Sequence, residues 1–352
     1  MQTPKKPDVV FVDTCIFEEY QYDFSNRIFS LLQDAIIKHK LTLILPKSIQ
    51  DEFRRHIEQK SQEAASAIKA AQKKAPFVRA IKKWPLKNAK PESIKWELVS
   101  LYKKRLEKFL KDSKAQILGY ENIDLDAVMS WYHQQIPPFG EGEKRKEFPD
   151  AFALASILLY AEKKDSLVAI VTQDKDWEKA CSDKSSLVYN RSLSTFLESY
   201  EKPTDAKKLH FMIKKQKKLI DKEIEEKFVN CLFCVEEDWE GDVYDIDVQE
   251  ITYFELQITG IGDREFLAAF QADINFFAHV TCDDYSTAIW DSEDKVAFAI
   301  NKIDTNVSSS ETVSGIIKLG ISEDHKSIEK ILMLEFDQDT FSVSINDAIS
   351  DE

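Results

Sequence analysis

Three runs of consecutive apolar residues punctuate the first 200 positions: Val9–Val12, Leu41–Leu45 and Leu167–Thr172. Each is rich in β-branched or aliphatic residues and bounded by polar ones, the pattern of strands buried on both faces of a parallel sheet. After the first run, Phe24, Ile28, Leu31, Leu32, Ala35 and Ile36 recur at helical spacing over 24–39. Pro46 closes the second run, and Ser48 is placed as the N-cap of a helix carrying Ile49, Glu52 and Phe53. This β-α-β-α order predicts a sheet covered by helices.

Residues 54–114 are rich in Ala, Lys, Gln and Glu and read as two or three helices, with breaks near 75–77 and 84–91. Residues 120–147 are irregular, marked as a loop by Pro137, Pro138, Gly140 and Gly142. A strongly apolar helix follows over 148–163, then the third strand, a short helix at 177–181, a fourth strand at 187–189 and a closing helix at 192–199. Pro203 opens a charged helix that runs to about Phe228. Beyond it the period changes to two, over 245–258, 266–280, 295–303, 313–321 and 331–345, with Gly, Asp and Ser clusters between. Such strands without a βαβ rhythm predict an antiparallel sheet or sandwich.

Composition adds limits. The length of 352 residues predicts about two domains, and 43% hydrophobic residues suffice for a core in each. No apolar run approaches the roughly 20 residues that span a bilayer. Five scattered Cys do not form a disulfide framework, so the chain reads as cytoplasmic with reduced thiols. The net charge of −14 argues against a nucleic-acid partner until it is divided along the chain. Residues 1–200 hold 33 Lys and Arg against 28 Asp and Glu, and residues 53–114 hold 18 against 6. Residues 229–352 hold 6 against 28. The negative charge belongs mainly to the second half.

Five acids recur beside the predicted strands. Asp13 ends the first, Glu52 lies one turn into the helix after the second, Asp150 opens the apolar helix, and Asp174 and Asp176 follow the third. In a parallel sheet the carboxyl ends of strands line one crevice, so distant acids can converge there. Each acid taken alone fits a cap or turn equally well. Together they repel, and the usual compensation is a hard divalent cation, Mg²⁺ or Mn²⁺.

At these residues the sequence resembles the PIN-domain nucleases. VVFVDTCIF at 9–17, LPKSIQDEF at 45–53, EFPDAFALA at 147–155 and VTQDKDW at 171–177 are similar to the four ordered motifs of that family. The string PPFGEGEKRKEFPDAFAL at 137–154 is similar to a PIN-like branch of it. The resemblance implies a three-layer α/β/α fold with a central parallel sheet over 1–200, here with an inserted basic helical region at about 54–135. A helical connector at 201–228 and an acidic, mainly antiparallel β domain at 229–352 follow. It further implies a metal-dependent endonuclease, acting on RNA or in some members DNA. Catalytic residues would be Asp13, Glu52, Asp150 and Asp174, with Asp176 as a further ligand and Thr14 and Thr172 in support, around one or two Mg²⁺ or Mn²⁺ ions. Some relatives act as toxins or in defence, which implies a regulated activity.

Two other classes stay open: a nucleic-acid-binding scaffold with a degenerate site, and a phosphohydrolase acting on a small ester. The basic block disfavours the latter. Arg54, Arg55, Lys144, Arg145 and Lys146 are the candidate phosphate contacts, and Lys73, Lys74, Lys82, Lys83, Trp84, Trp96 and Tyr102 extend the block with aromatic interleaving. Cys231, Cys234, His279 and Cys282 have spacings that could supply a zinc tetrad, though core positions explain them more simply. His56 lies one turn beyond Glu52, and a nucleophile built on Cys15 lacks an identifiable orienting partner. The acidic half suits a protein- or ligand-binding sheet, a homodimerisation module, or an element that docks on the basic block. RNA affinity is expected to fall steeply between 50 and 200 mM salt, as filter binding would show; a flat profile removes the basic block from the interface.

Overall fold

The apolar runs fold as their pattern predicts. Val9–Val12 forms β1, all four residues buried. It is followed by a short helix α1 (Thr14–Glu19), by α2 (Arg27–His39) and by β2 (Thr42–Pro46). The computed structural model describes residues 6–74, 90–140, 147–236, 241–291 and 296–345. Helix α3 (Lys47–Lys74) starts directly on the strand, so Ser48 lies inside its first turn rather than capping it. Its length reflects a run without Gly or Pro and dense in Ala, Lys, Gln and Glu. Helix α4 (Pro91–Asp112) begins with Pro91, whose fixed φ suits a first turn, and packs on α3.

Two elements differ from expectation: a strand of the sheet lies within the stretch 54–135 expected as a helical insertion, and a helix stands in the loop expected at 120–147. The strand β3 (Gln116–Leu118) is three residues long, too short to show a period. Helix α5 (Leu125–Gln134) is capped by Asp124, which accepts from the Ala127 amide at 3.0 Å. The apolar α6 (Phe148–Lys164) leads to β4 (Val168–Val171), then α7 (Lys175–Ser182), β5 (Leu187–Asn190) and α8 (Leu193–Glu198). The five strands form one parallel sheet in the order β3-β2-β1-β4-β5, flanked by helices.

An aromatic cluster fixes the helices on one side of this sheet. Phe17, Phe24, Phe29, Phe53 and Phe109, from α1, the loop after it, α2, α3 and α4, have ring centroids 5.0–6.4 Å apart. Phe53 is fully buried there, which sets the rotation of α3 about its axis.

The chain divides into two compact units, Met1–Tyr200 and Glu201–Glu352. In the second, α9 (Pro203–Lys215) and α10 (Lys217–Phe228) replace the single helix expected there and break at Gln216. The strands are β6 (Leu232–Val235), β7 (Gly241–Ile261), β8 (Glu265–Asp283), β9 (Ala288–Asp291), β10 (Val296–Ala299), β11 (Lys302–Ile321), β12 (Ile328–Phe336) and β13 (Thr340–Val343). The main sheet is antiparallel in the order β12-β11-β8-β7; β9 and β10 form a hairpin, and β6 and β13 pair in parallel. In β8 residues 266–270 are all buried, and from Gln271 onward the alternation is strict, with Ala272, Ile274, Phe276, Ala278, Val280 and Cys282 facing inward.

The stretch 201–228, expected as a connector, packs Leu209, Met212, Ile213, Ile220, Ile224 and Phe228 into the core of this sheet. Phe228 meets Phe276 at 5.2 Å and Phe341 at 5.0 Å between ring centroids. Phe228→Ala should therefore lower stability by about 3–5 kcal/mol, read from the urea midpoint of the full chain. A connector residue would shift it by less than about 0.5 kcal/mol.

Candidate metal centre

Asp13 is the first residue after β1 and Thr172 the first after β4. Val12 pairs with Val171, and the Asp13 amide donates to the Val171 carbonyl at 3.0 Å, so both leave the sheet side by side. From β1 the sheet grows one way through β2 and β3, and the other way through β4 and β5. This reversal opens the crevice at the carboxyl ends where open α/β sheets place ligands.

Asp13 serves the fold and the crevice with different oxygens. Its Oδ1 accepts the Thr14 amide at 2.8 Å and caps α1. Its Oδ2 accepts the Thr172 hydroxyl at 2.7 Å and the Cys15 thiol at 3.4 Å. Glu52 reaches the same place from the second turn of α3, held by its buried neighbour Phe53. The Thr14 hydroxyl donates to Glu52 Oε2 at 3.2 Å and ties the two acids together. Asp150 enters from the first turn of α6. One oxygen from each of Asp13, Glu52 and Asp150 lies within 4.8 Å of the other two.

Electrostatics show how strained this triad is as a set of anions. Burial pushes the Asp13 carboxyl above its ordinary range; the hydrogen bonds from Thr172, Thr14 and Cys15 oppose the shift, and the charge on Asp174 adds to it. Burial and then the Asp13 charge raise Glu52, against His56, Thr14 and Arg55. Asp150 is pushed up to about 9, by burial first and then by Asp13, Glu52 and Glu147. All three groups thus favour a proton, or a cation in its place. The donor set consists of hard carboxylate oxygens, which fits Mg²⁺ or Mn²⁺. Oxygens on one such ion at roughly 2.1 Å are at most about 4.2 Å apart, so the triad needs to close by well under 1 Å.

The remaining predicted residues sit around this triad. Asp174 caps α7, its Oδ1 accepting the Asp176 amide at 2.8 Å, and acts on Asp13 through its charge. The buried Asp176 accepts Lys179 Nζ at 3.3 Å. Arg54 points to Asp51, while Arg55 lies 3.9 Å from Glu52 Oε1. Lys144, Arg145 and Lys146, like Lys82, Lys83 and Trp84, lie outside the described residues. His56 does approach the crevice, with Nε2 3.8 Å from Glu52 Oε1 and Nδ1 3.1 Å from the Tyr22 hydroxyl. Sequence reasoning missed Tyr22 and the part played by Cys15. Burial and the Asp13 charge push the Cys15 thiol up to about 12, so it stays a thiol that donates to Asp13. The Cys and His residues proposed as a zinc set do not gather: Cys282 faces the core of β8, while His279 binds Asp304 and Asn306 on the other face.

This arrangement of β1, α3, α6 and β4 has a counterpart among known families. The PIN domain family model matches residues 10–177. The match begins in β1, ends in α7 and contains all three carboxylates of the triad. PIN domains are in general metal-dependent nucleases of RNA or DNA. The second unit lies outside the match. No curated protein and no solved structure matches the chain. Among the described residues no helix is long and apolar enough to cross a membrane.

The raised carboxyls of the matched segment make its metal-free stability depend on pH. Folded Asp150 titrates near 9 against an ordinary 3.8, so the folded state holds a proton that the unfolded chain has released between those values. Stability is full below about pH 4 as far as this group is concerned and is lost as pH rises towards about 9. In EDTA, the wild-type Tm should fall over this window. Asp150→Asn should flatten the slope and melt higher than wild type at the alkaline end. Parallel curves for the two proteins would show that Asp150 is not crowded by the other acids.

Proposed function

We propose that the chain is a Mg²⁺- or Mn²⁺-dependent endonuclease that hydrolyses phosphodiester bonds in RNA. The convergence of Asp13, Glu52 and Asp150 at the reversal point of a PIN-type sheet carries this reading. The residues present fit a divalent ion, which would neutralise charge developing on the phosphate and lower the pKa of a nearby water.

The protein's own groups account for the preorganisation. Thr172 and the Thr14 amide hold Asp13 by opposite oxygens, and the Thr14 hydroxyl holds Glu52. These hydrogen bonds fix donor positions before any ligand arrives, so little rearrangement accompanies binding. Arg55, beside Glu52 and largely exposed, is placed to meet a phosphate entering the crevice. Hydrolysis joins a water oxygen to phosphorus, breaks the bond to the 3′ oxygen, and leaves a 5′ phosphate and a 3′ hydroxyl. Asp174, through its charge on Asp13, belongs to the same electrostatic site and is a candidate for a second ion. RNA is favoured over a small ester by the basic block at 53–114.

The test uses labelled RNA and DNA with wild type and Asp150→Asn, in Mn²⁺, Mg²⁺ or EDTA. Cleavage of RNA by wild type with either metal is expected, abolished by EDTA. The variant should lose more than the roughly 10–100-fold typical of outer-shell substitutions. Binding without cleavage under every condition would point instead to a scaffold with a degenerate site.

A further inference from the structure

A cavity of about 580 Å³ lies wholly within the second unit, between the joint of α9 and α10 and the core face of the main sheet. Its volume falls in the range of sites for small organic ligands. Its apolar walls come from Ile213 and Ile220 of the two helices, Ile251 of β7, Phe270 of β8 and Ile317 of β11, all buried. Tyr253 closes one side. Its ring lies 6.2 Å from that of Phe270 at 69°, and its hydroxyl donates to Asp221 at 2.8 Å.

The charged groups around these walls do not balance. Lys217 is engaged: its Nζ lies 2.6 Å from Asp221 Oδ2, 3.3 Å from the Ile251 carbonyl and 5.2 Å from the Tyr253 ring centre. Lys214, in the last turn of α9, also lines the cavity and has no ion-pair partner among the described residues. Glu250 and Thr252 border the cavity from β7, but they are exposed positions alternating with the inward Ile251 and Tyr253, so their side chains turn to the other face. His210, one turn before Lys214, stands on the same rim. Helix α10 starts at this joint without a side-chain cap, which adds the positive end of its dipole. The stretch 201–218 carries seven Lys against two acids, inside a unit that is otherwise strongly acidic.

We infer that this cavity binds a small organic anion, a carboxylate whose head meets Lys214 and whose apolar body lies on the isoleucine walls. The body gains by leaving water, and the walls that receive it are already formed. A cation of the same shape would meet Lys214 with like charge. A nucleotide fits poorly, since its sugar and base need polar partners that these walls lack. The preference runs against the chain's net charge of −14, whose field attracts cations, so selectivity for an anion reports the cavity and not the average surface.

Isothermal titration calorimetry on the full chain, without metal or nucleic acid, tests this independently of the nuclease reading. The probes are decanoate, decylammonium with the same body and the opposite charge, and acetate with the head alone. Decanoate should bind saturably at one site per chain with a Kd below about 1 mM, and should raise Tm. Decylammonium should bind at least about 5-fold more weakly, and acetate should show no binding. Lys214→Glu should weaken decanoate roughly 5- to 30-fold. Lys215→Glu makes the same charge change on a side chain that lies 4.6 Å from the Phe211 ring centre instead, and should alter the affinity less than about 2-fold. Both lysines are exposed, so neither variant should move Tm. Leu256→Trp, which places a ring in the cavity, should weaken decanoate more than about tenfold. No saturable binding below about 1 mM, equal affinity for decylammonium, or equal losses from the two lysine reversals would each overturn the inference. Wild-type affinity in a folded Leu256→Trp would place the anion on the helix surface and likewise reject the cavity.

Discussion

Carboxylates that share a desolvated crevice repel one another, and the N-terminal unit is arranged around holding three of them in place. Buried strands of the sheet bring Asp13 and Thr172 to adjacent strand ends. The aromatic cluster around Phe53 fixes the rotation of α3 and with it Glu52. The apolar α6 seats Asp150 against both. No element gains stability from this convergence as such, since burial and like charge raise all three groups. The compensation is external, a cation or protons, and this dependence makes the crevice a reactive place in an otherwise ordinary α/β core.

The sequence shows the triad because its acids stand at sharp boundaries. Continuous apolar runs end at Asp13 and Pro46, and the apolar helix has Asp150 in its first turn; each boundary has a physical reading in one dimension. Asp174 and Asp176 share that context and read alike; in three dimensions Asp174 caps α7 and Asp176 accepts from Lys179, while Asp13 caps α1 and joins the triad at once. Local pattern cannot separate these roles, because each calls for a short acid at the start of a helix. The strand β3 and helix α5 escape for another reason: three residues are too few for a period, and α5 mixes polar and apolar residues on a short span. In the second unit, the Lys-rich surface of 201–228 hides the narrow stripe from Leu209 to Phe228 that enters the core. The cavity in that unit is not legible at all, since Lys214, Tyr253 and Ile317 meet only through the packing of α9 and α10 on the sheet.

Charge and topology complement each other within the first unit. The acids gather at one crevice, while the basic residues lie on the helical stretch after it. A polyanion meeting this surface has long-range attraction over the helices and local repulsion at the triad, relieved only where a cation sits. The division explains how a protein of net charge −14 can carry a site for nucleic acid. The average is dominated by the acidic second unit.

The two duties of Asp13 have a bearing on how relatives of this chain would diverge. One oxygen caps α1 and the other anchors Thr172 at the end of the neighbouring strand, so the fold itself selects for an aspartate there. A lineage that abandoned catalysis would still be under pressure to retain it. Asp150 has no cap role: its helix begins at Phe148 without a side-chain cap, and its carboxyl is pushed up to about 9. Once chemistry is lost, a neutral residue at 150 relieves the crevice and should drift in early. Among relatives, position 150 rather than position 13 would record whether the proposed activity persists.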